Sequence, residues 1–545
     1  MSLTRFKKLN IDLCTVGLLV GTVFFAFSLT PSLLPRPFAI QGLISGLSFS
    51  TGYAVGVAGL WLWNYLQLPS ARRYTAHAIK ISAALMCALI AISFLWQAAT
   101  WQNSIRDLMG MEEAGGVRPD LVGLIAALVF VSLLVIARLF WSLFLLLSGK
   151  LSRYIPPRIS NLVGIMVSLL LFWSLVNGVL VSFILETADQ SFQQLDALIE
   201  DDLPRPFLTE QTGSPDSLIA WQDLGREGRR FVSSGPSAET LSEFFARPVP
   251  TPIRVYVGLN SAETAEQRAR LALDELKRVG GFERSVLLLA TPTGTGWIDP
   301  ASQDPIEYLF RGDIATVGVQ YSYLNSPLAL LTESAYGAES ARAVFNEIYN
   351  HWRSLPRESR PRLFLTGLSL GSLNSDRSFD LFDIIDDPFS GALWSGPPFR
   401  NDSWRRLTQQ REPDSPAWLP QFRDGSVVRF MNQTAGLGHY PEPWGDFRIV
   451  FLQYASDPVT FFDPQSAWRE PAWMREPRGP DVSPDLRWFP IVTMLQLLAD
   501  MMVGTAPPGF GHEYAATDYI DAWIALTEPE GWEASEIQRL RRLFE

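Results

Sequence analysis

Two hydrophobic patterns divide the chain. Up to residue 186 it is a succession of long apolar runs, Leu13–Leu29, Phe38–Trp63, Ile81–Trp96, Leu121–Leu147 and Leu162–Leu185, parted by short polar or basic stretches. A bilayer core is spanned by about 20 apolar residues as helix. Most of these runs reach or approach that length. Ile81–Trp96 is the weakest and needs Ala98 and Ala99, beyond Gln97, to cross. A buried soluble helical core is the competing reading, but the runs leave almost no polar face. A cleavable leader is the competing reading of the first run. That run is long, and Thr30-Pro31-Ser32-Leu33 is not a small-x-small cleavage site. The pattern predicts an all-α transmembrane bundle of about five helices over residues 1–186.

Arg138 interrupts the fourth run. An intramembrane charge is functional by default, but its long stem can also snorkel to the headgroups beside Lys150 and Arg153. Basic residues cluster in alternate connections: Arg5, Lys7 and Lys8, then Arg72, Arg73 and Lys80, then Lys150, Arg153 and Arg158. The basic side is expected to face the cytoplasm. With five spans, the C-terminal part then lies outside the cytoplasm, and loss of the third helix would reverse that.

Residues 187–252 are mixed and proline-containing, and read as a connecting segment. From residue 253 to 545 short apolar runs alternate with helical patterns. The runs are Arg254–Leu259, Ser285–Ala290, Ala315–Tyr321, Arg362–Thr366, Gly391–Trp394, Val427–Phe430 and Arg448–Tyr454. Ala262–Val279 and Tyr336–Trp352 read as helices between them. Short β-rich runs alternating with helices predict an α/β domain with a mostly parallel sheet covered by helices.

Charge follows the same division. Residues 1–186 carry a net +7 and the remainder −18, for a total of −11. Nucleic-acid binding through bulk positive charge is excluded. The mean hydropathy of +0.10 and 19% charged residues exclude global disorder. Two cysteines, Cys14 and Cys87, exclude a disulfide framework and a thiolate zinc cluster. Isolated Asp, Glu and His pairs share no ligand-like spacing, so neither a metal nor a cofactor is expected.

Directly after the Arg362–Thr366 run stands Gly367-Leu368-Ser369-Leu370-Gly371. A serine on a sharp strand-to-helix turn needs small neighbours, and such a turn projects its hydroxyl at the carboxyl edge of a sheet. Ser369 is therefore the candidate nucleophile, against the alternative of a solvated serine in a glycine-rich loop. The following Ser372–Asp380 is polar and not a strong helix. A serine needs a base, and the chain has four histidines. His77 lies at a membrane boundary, and His351 sits late in a helix as a surface or packing residue. His512, on a late loop in Gly511-His512-Glu513-Tyr514, is the candidate base, with His439 as runner-up. Asp457, in Ser456-Asp457-Pro458 at the end of a strand, is the candidate acid that orients the imidazole. Asp463 and Asp500 are the alternatives. For an oxyanion hole, Leu370 supplies one backbone donor, and the loop holding Gly294, Thr295 and Gly296 supplies the other, with no single amide preferred. The tract between Asp457 and His512 carries Trp468, Trp473, Trp488 and Phe489. It reads equally as a lid over an apolar pocket or as a packed irregular loop.

Together these residues resemble the α/β-hydrolase superfamily. More narrowly, the chain resembles a family of bacterial membrane-anchored α/β hydrolases with a multi-span N-terminal domain. The resemblance rests on Arg254–Leu259, Thr293–Trp297, Gly367–Ser372, Ser456-Asp457-Pro458, Arg478-Gly479-Pro480-Asp481-Val482-Ser483-Pro484 and Gly511–Tyr514. It implies acyl chemistry on esters, thioesters or amides at a Ser369–His512–Asp457 triad, with no cofactor. The apolar first third implies the lipid bilayer as a partner and an integral location in a bacterial plasma membrane, and that location favours an acyl-bearing substrate of lipid-like or envelope type. The resemblance specifies neither the substrate nor an oligomeric state. An acyltransferase with the same triad, a binding module on a transporter and a catalytically dead scaffold are the other readings.

Overall fold

In the computed structural model, residues 13–69, 73–113, 118–175, 196–200, 203–323, 334–440 and 442–545 are described. The chain forms two compact units. One comprises residues 1–182, 462–474 and 482–505; the other comprises 183–461, 475–481 and 506–545.

The first unit is helical: α1 (Thr15–Ser28), α2 (Phe38–Tyr65), α3 (Arg73–Leu108), α4 (Pro119–Leu151) and α5 (Pro157–Leu175). About five spans were expected; among the described residues three helices, Phe38–Tyr65, Ala78–Leu108 within α3, and Pro119–Leu151, are long and apolar enough to cross a membrane. The run regarded as weakest is among them. The first run yields only a 14-residue helix, roughly 21 Å long at about 1.5 Å per residue against a core of about 30 Å. The fifth run continues beyond α5 into residues outside the described set.

Small residues let these helices meet. A Cβ at Gly52 or Gly56 of α2 would lie 2.7–2.8 Å from α1, and one at Gly42 or Gly46 would lie 2.6–2.8 Å from α4. Two small-xxx-small faces on one helix are the packing solution of bundles that lack a hydrophobic driving force in lipid. The remaining apolar surface faces outward, with Leu89, Trp96 and Leu139 exposed by 70%, 83% and 65%.

The unit contains a partner that the sequence did not announce. Residues 462–474 and 482–505, including the Val492–Val503 helix, pack with the bundle. Phe489 stacks on Phe27 with ring centroids 3.9 Å apart. Asp500 Oδ1 accepts from Arg36 Nε at 2.6 Å, and its Oδ2 accepts from the amides of Leu33 and Leu34 at 3.1 and 3.4 Å. Gln496 donates to the carbonyls of Ser28 and Thr30. Both ends of the ion pair are buried. Asp500, an alternative acid on sequence grounds, thus serves this docking. The tract is a packed segment of the helical unit.

In the second unit, the described strands form a seven-stranded sheet in which every pairing is parallel: β1 (Ile253–Val257), β2 (Val286–Thr291), β3 (Ile314–Val319), β4 (Arg362–Leu368), β5 (Gly391–Ser395), β6 (Val428–Met431) and β7 (Arg448–Leu452). Their spatial order is β1-β3-β2-β4-β5-β7-β6. The strands are almost continuously apolar because both faces are covered. α6 (Ala265–Arg278) packs on α8 (Ser334–Ser354), and α8 on α9 (Leu370–Asp376), while α7 (Pro300–Leu309) packs on α10 (Ala516–Thr527). The reversal from β2 to β3 puts α7 on the face opposite α6 and α8, as right-handed crossovers require. The segment 203–252 folds with this unit. Arg254 in β1 is buried, with Nε and Nη2 on Glu307 of α7 at 2.7 and 2.8 Å and Nη2 on Asp304 at 2.6 Å.

Candidate functional site

β4 lies in the middle of the sheet, between β2 and β5. At its carboxyl end the chain turns sharply into α9, and Ser369 takes φ 57° and ψ −123°. A non-glycine residue there stores about 1–3 kcal/mol of strain and persists only where its surroundings impose it. The glycines explain why the turn closes. A Cβ on Gly367 would come 2.3 Å from the backbone of Gly371, and one on Gly371 would come 2.2 Å from the carbonyl oxygen of Thr291. The polar stretch after Gly371 is nevertheless a short helix, because its small polar groups bond inward. Ser372 Oγ donates to the Ser369 carbonyl at 2.7 Å, and Ser375 Oγ accepts from the Trp394 indole at 3.0 Å.

Asp457 follows β7 and is completely buried. Its Oδ1 accepts from the Val459 amide at 2.8 Å; its Oδ2 accepts from Thr460 Oγ1 at 3.0 Å and Tyr514 Oη at 2.8 Å, and lies 2.8 Å from His512 Nδ1. A carboxylate so crowded with donors holds the imidazole in one tautomer. Burial alone would lower the His512 pKa. The charge and hydrogen bond of Asp457, with Glu513 and Asp299, outweigh burial and raise it above the ordinary value. His512 Nε2 is buried and has no hydrogen-bond partner among the described residues.

Ser369 and His512 border the same end of β5. The Ser369 amide donates to the Ser395 carbonyl at 3.0 Å, and the His512 ring packs on Gly396, where a Cβ would meet it at 2.6 Å. No hydrogen bond joins the two side chains among the described residues.

The Thr293–Trp297 loop follows β2. The Gly296 amide donates to the Thr293 carbonyl at 3.0 Å, so this proposed donor is occupied by the turn. The Thr293 amide is likewise held by the Trp297 carbonyl. Tyr256 Oη donates to the Gly296 carbonyl at 2.6 Å, and Gln320 donates to that of Thr295. The amides of Gly294, Thr295 and Leu370 have no described partner. His351 packs edge-on against Phe282, consistent with a packing role. The side chain of His439 lies outside the described residues.

Sequence reasoning missed three supports. Ser456 donates through both its amide and its Oγ to Asp481 Oδ2, at 2.9 and 2.6 Å, and Ser456 Oγ accepts from the Gly511 amide at 2.8 Å. Asp481 thus ties the loop of Asp457 to the loop of His512. Its signal was present as the Arg478–Pro484 motif, without a role. Tyr514 likewise stood in the Gly511–Tyr514 motif without a role, and Thr460, three residues after Asp457, showed no pattern of its own.

Residues 253–540 match a family described as "Alpha/beta-hydrolase family", and residues 29–236 match one described as "Alpha/beta-hydrolase family N-terminus". The first match alone covers more than half of the chain, and the chain belongs to the α/β-hydrolase family. Comparison with curated proteins and with solved structures finds no match.

Proposed function

We propose that the protein is a membrane-anchored serine hydrolase acting on acyl esters. The observation that carries this reading is the 2.8 Å Asp457–His512 contact beside a serine held at positive φ. In this mechanism Ser369 Oγ attacks the acyl carbon while His512 Nε2 accepts its proton. Asp457 stabilises the resulting imidazolium through Nδ1–H. The Leu370 amide, with that of Gly294 or Thr295, holds the oxyanion. His512 then protonates the leaving alcohol, and water, deprotonated by the same nitrogen, releases the acid.

The membrane reading is supported by the three long apolar helices and their outward apolar side chains. Sidedness rests on the charge pattern alone: the alternation of basic connections, with five spans, favours a non-cytoplasmic hydrolase unit.

The test is hydrolysis of p-nitrophenyl esters of graded chain length by the purified full chain. Ser369→Ala is expected to lower turnover by at least about 10³-fold. Undiminished turnover in a folded variant would remove the proposal.

A further inference from the structure

The helical unit contains a second site, separate from Ser369. A cavity of about 280 Å³ opens where the α1–α2 connection meets the end of α3 and the start of α4. Helix ends of a membrane bundle lie at the level of the lipid headgroups. Its apolar lining includes Leu29, Phe38, Leu95 and Val122, and its polar lining is Arg36, Arg106, Gln41, Gln102 and Thr505. No carboxylate lines it.

The hydrogen bonds of these polar groups decide what can enter. The glutamine oxygens are already used: Gln102 Oε1 takes the Arg36 amide at 2.9 Å, and Gln41 Oε1 takes Arg36 Nη1 at 3.3 Å. The Gln41 amide donates away, to the Ser28 carbonyl and Ser45 Oγ. Donors remain. Gln102 is buried, and its Nε2 has no partner among the described residues. Arg106 donates Nε to the Glu112 carbonyl at 2.6 Å and forms no ion pair among the described residues. The charge of Arg36 is balanced by Asp500, which leaves Arg106 as the lining cation without an ion pair among the described residues. A pocket with a spare cation and a spare amide donor, no carboxylate and apolar lining selects an acceptor-rich anion on a hydrocarbon chain.

We propose that this cavity binds an anionic amphiphile, with a phosphate or carboxylate head at Arg106 and Gln102 and its chain along Phe38 and Val122. The site does not require that Ser369 be active. Its ligand comes either from the bilayer, as an anionic phospholipid, or from acyl chemistry, as a fatty acid.

The full chain in detergent is offered dioleoylphosphatidylglycerol, dioleoylphosphatidylcholine or oleate, and bound adducts are quantified by native mass spectrometry. Arg106→Gln is the test variant, because Arg36 is bound into the buried ion pair and its loss would threaten folding. Wild type is expected to bind at least one of the two anions about tenfold more tightly than the zwitterion, and Arg106→Gln to lose that preference. Preference for phosphatidylglycerol identifies a bilayer lipid, and preference for oleate an acyl product. Equal binding of all three by wild type, or a preference unchanged in Arg106→Gln, overturns the proposal.

Discussion

Asp299 offers a quantitative test of how the site is built. It caps the amino end of α7, with its carboxylate accepting from the Ala301 amide at 2.9 Å. Burial pushes its pKa from 3.8 up to about 7, and Glu513 adds to this; the Ala301 amide, the Tyr519 hydroxyl and His512 oppose it. A carboxyl raised by folding keeps its proton in the native chain after the unfolded chain has released it. Native stability is therefore lost as pH rises from near 3.8 through about 7. Relative to a neutral isostere, linkage gives a penalty of about 1.7 kcal/mol at pH 5 and about 4 kcal/mol at pH 8. Asp299→Asn removes the penalty and keeps the cap, since asparagine caps as well as aspartate. The full chain should melt higher than wild type at both values, with a gain at pH 8 more than twice that at pH 5 and on the order of 8 °C. A gain independent of pH, or none at pH 8, would refute the reasoning.

Substitutions at four other positions probe separate links. Gly371→Ala drives a Cβ to 2.2 Å from the Thr291 carbonyl oxygen, so esterase turnover should fall at least about 100-fold and the melting temperature should drop; wild-type values for both would show that the turn tolerates a side chain. Asp457→Asn removes the main counterweight to burial at His512. Wild-type activity should rise with pH through a histidine pKa above 6.5; in the variant kcat should fall about 10⁴-fold and the residual acid limb should move to lower pH, whereas an unmoved limb would detach His512 from Asp457. Asp481→Ala should lower kcat with little change in KM, and Asp481→Asn should recover part of it; an equal loss in both would leave Asp481 without a positioning role through Ser456. Asp500→Ala strands a buried guanidinium and should destabilise the helical unit by about 3–5 kcal/mol, seen as a lower melting temperature of the full chain, and an unchanged melt would mean that the pair contributes little.

The sheet was legible because parallel strands buried on both faces are short apolar runs. All seven expected runs overlap observed strands, among them Ser285–Ala290 against Val286–Thr291 and Arg448–Tyr454 against Arg448–Leu452. Their spatial order was not legible, since the exchange of β6 and β7 depends on long connections that carry no periodicity. The candidate triad was readable from local chemistry: a glycine-flanked serine, an aspartate ending a strand and a histidine on a late loop. Asp481 was not, because its role arises only when two distant loops meet at Ser456. The number of spans was less legible than the bundle itself, because hydropathy marks a run as apolar without showing how much of it becomes helix: the first run gives a 14-residue helix. The same measure missed the docking of Val492–Val503, which rests on one buried ion pair and the carbonyls of a tight connection. That helix reads as an ordinary amphipathic segment until Asp500 finds Arg36.

The central claim is that Ser369 is an activated nucleophile served by His512. It is tested most directly by treating membranes with a fluorophosphonate probe and mapping the adduct by peptide mass spectrometry. A single adduct is expected on Ser369 in wild type, absent in Ser369→Ala and strongly reduced in His512→Ala. A folded wild-type chain that takes no label, or an adduct that persists undiminished without His512, would contradict it.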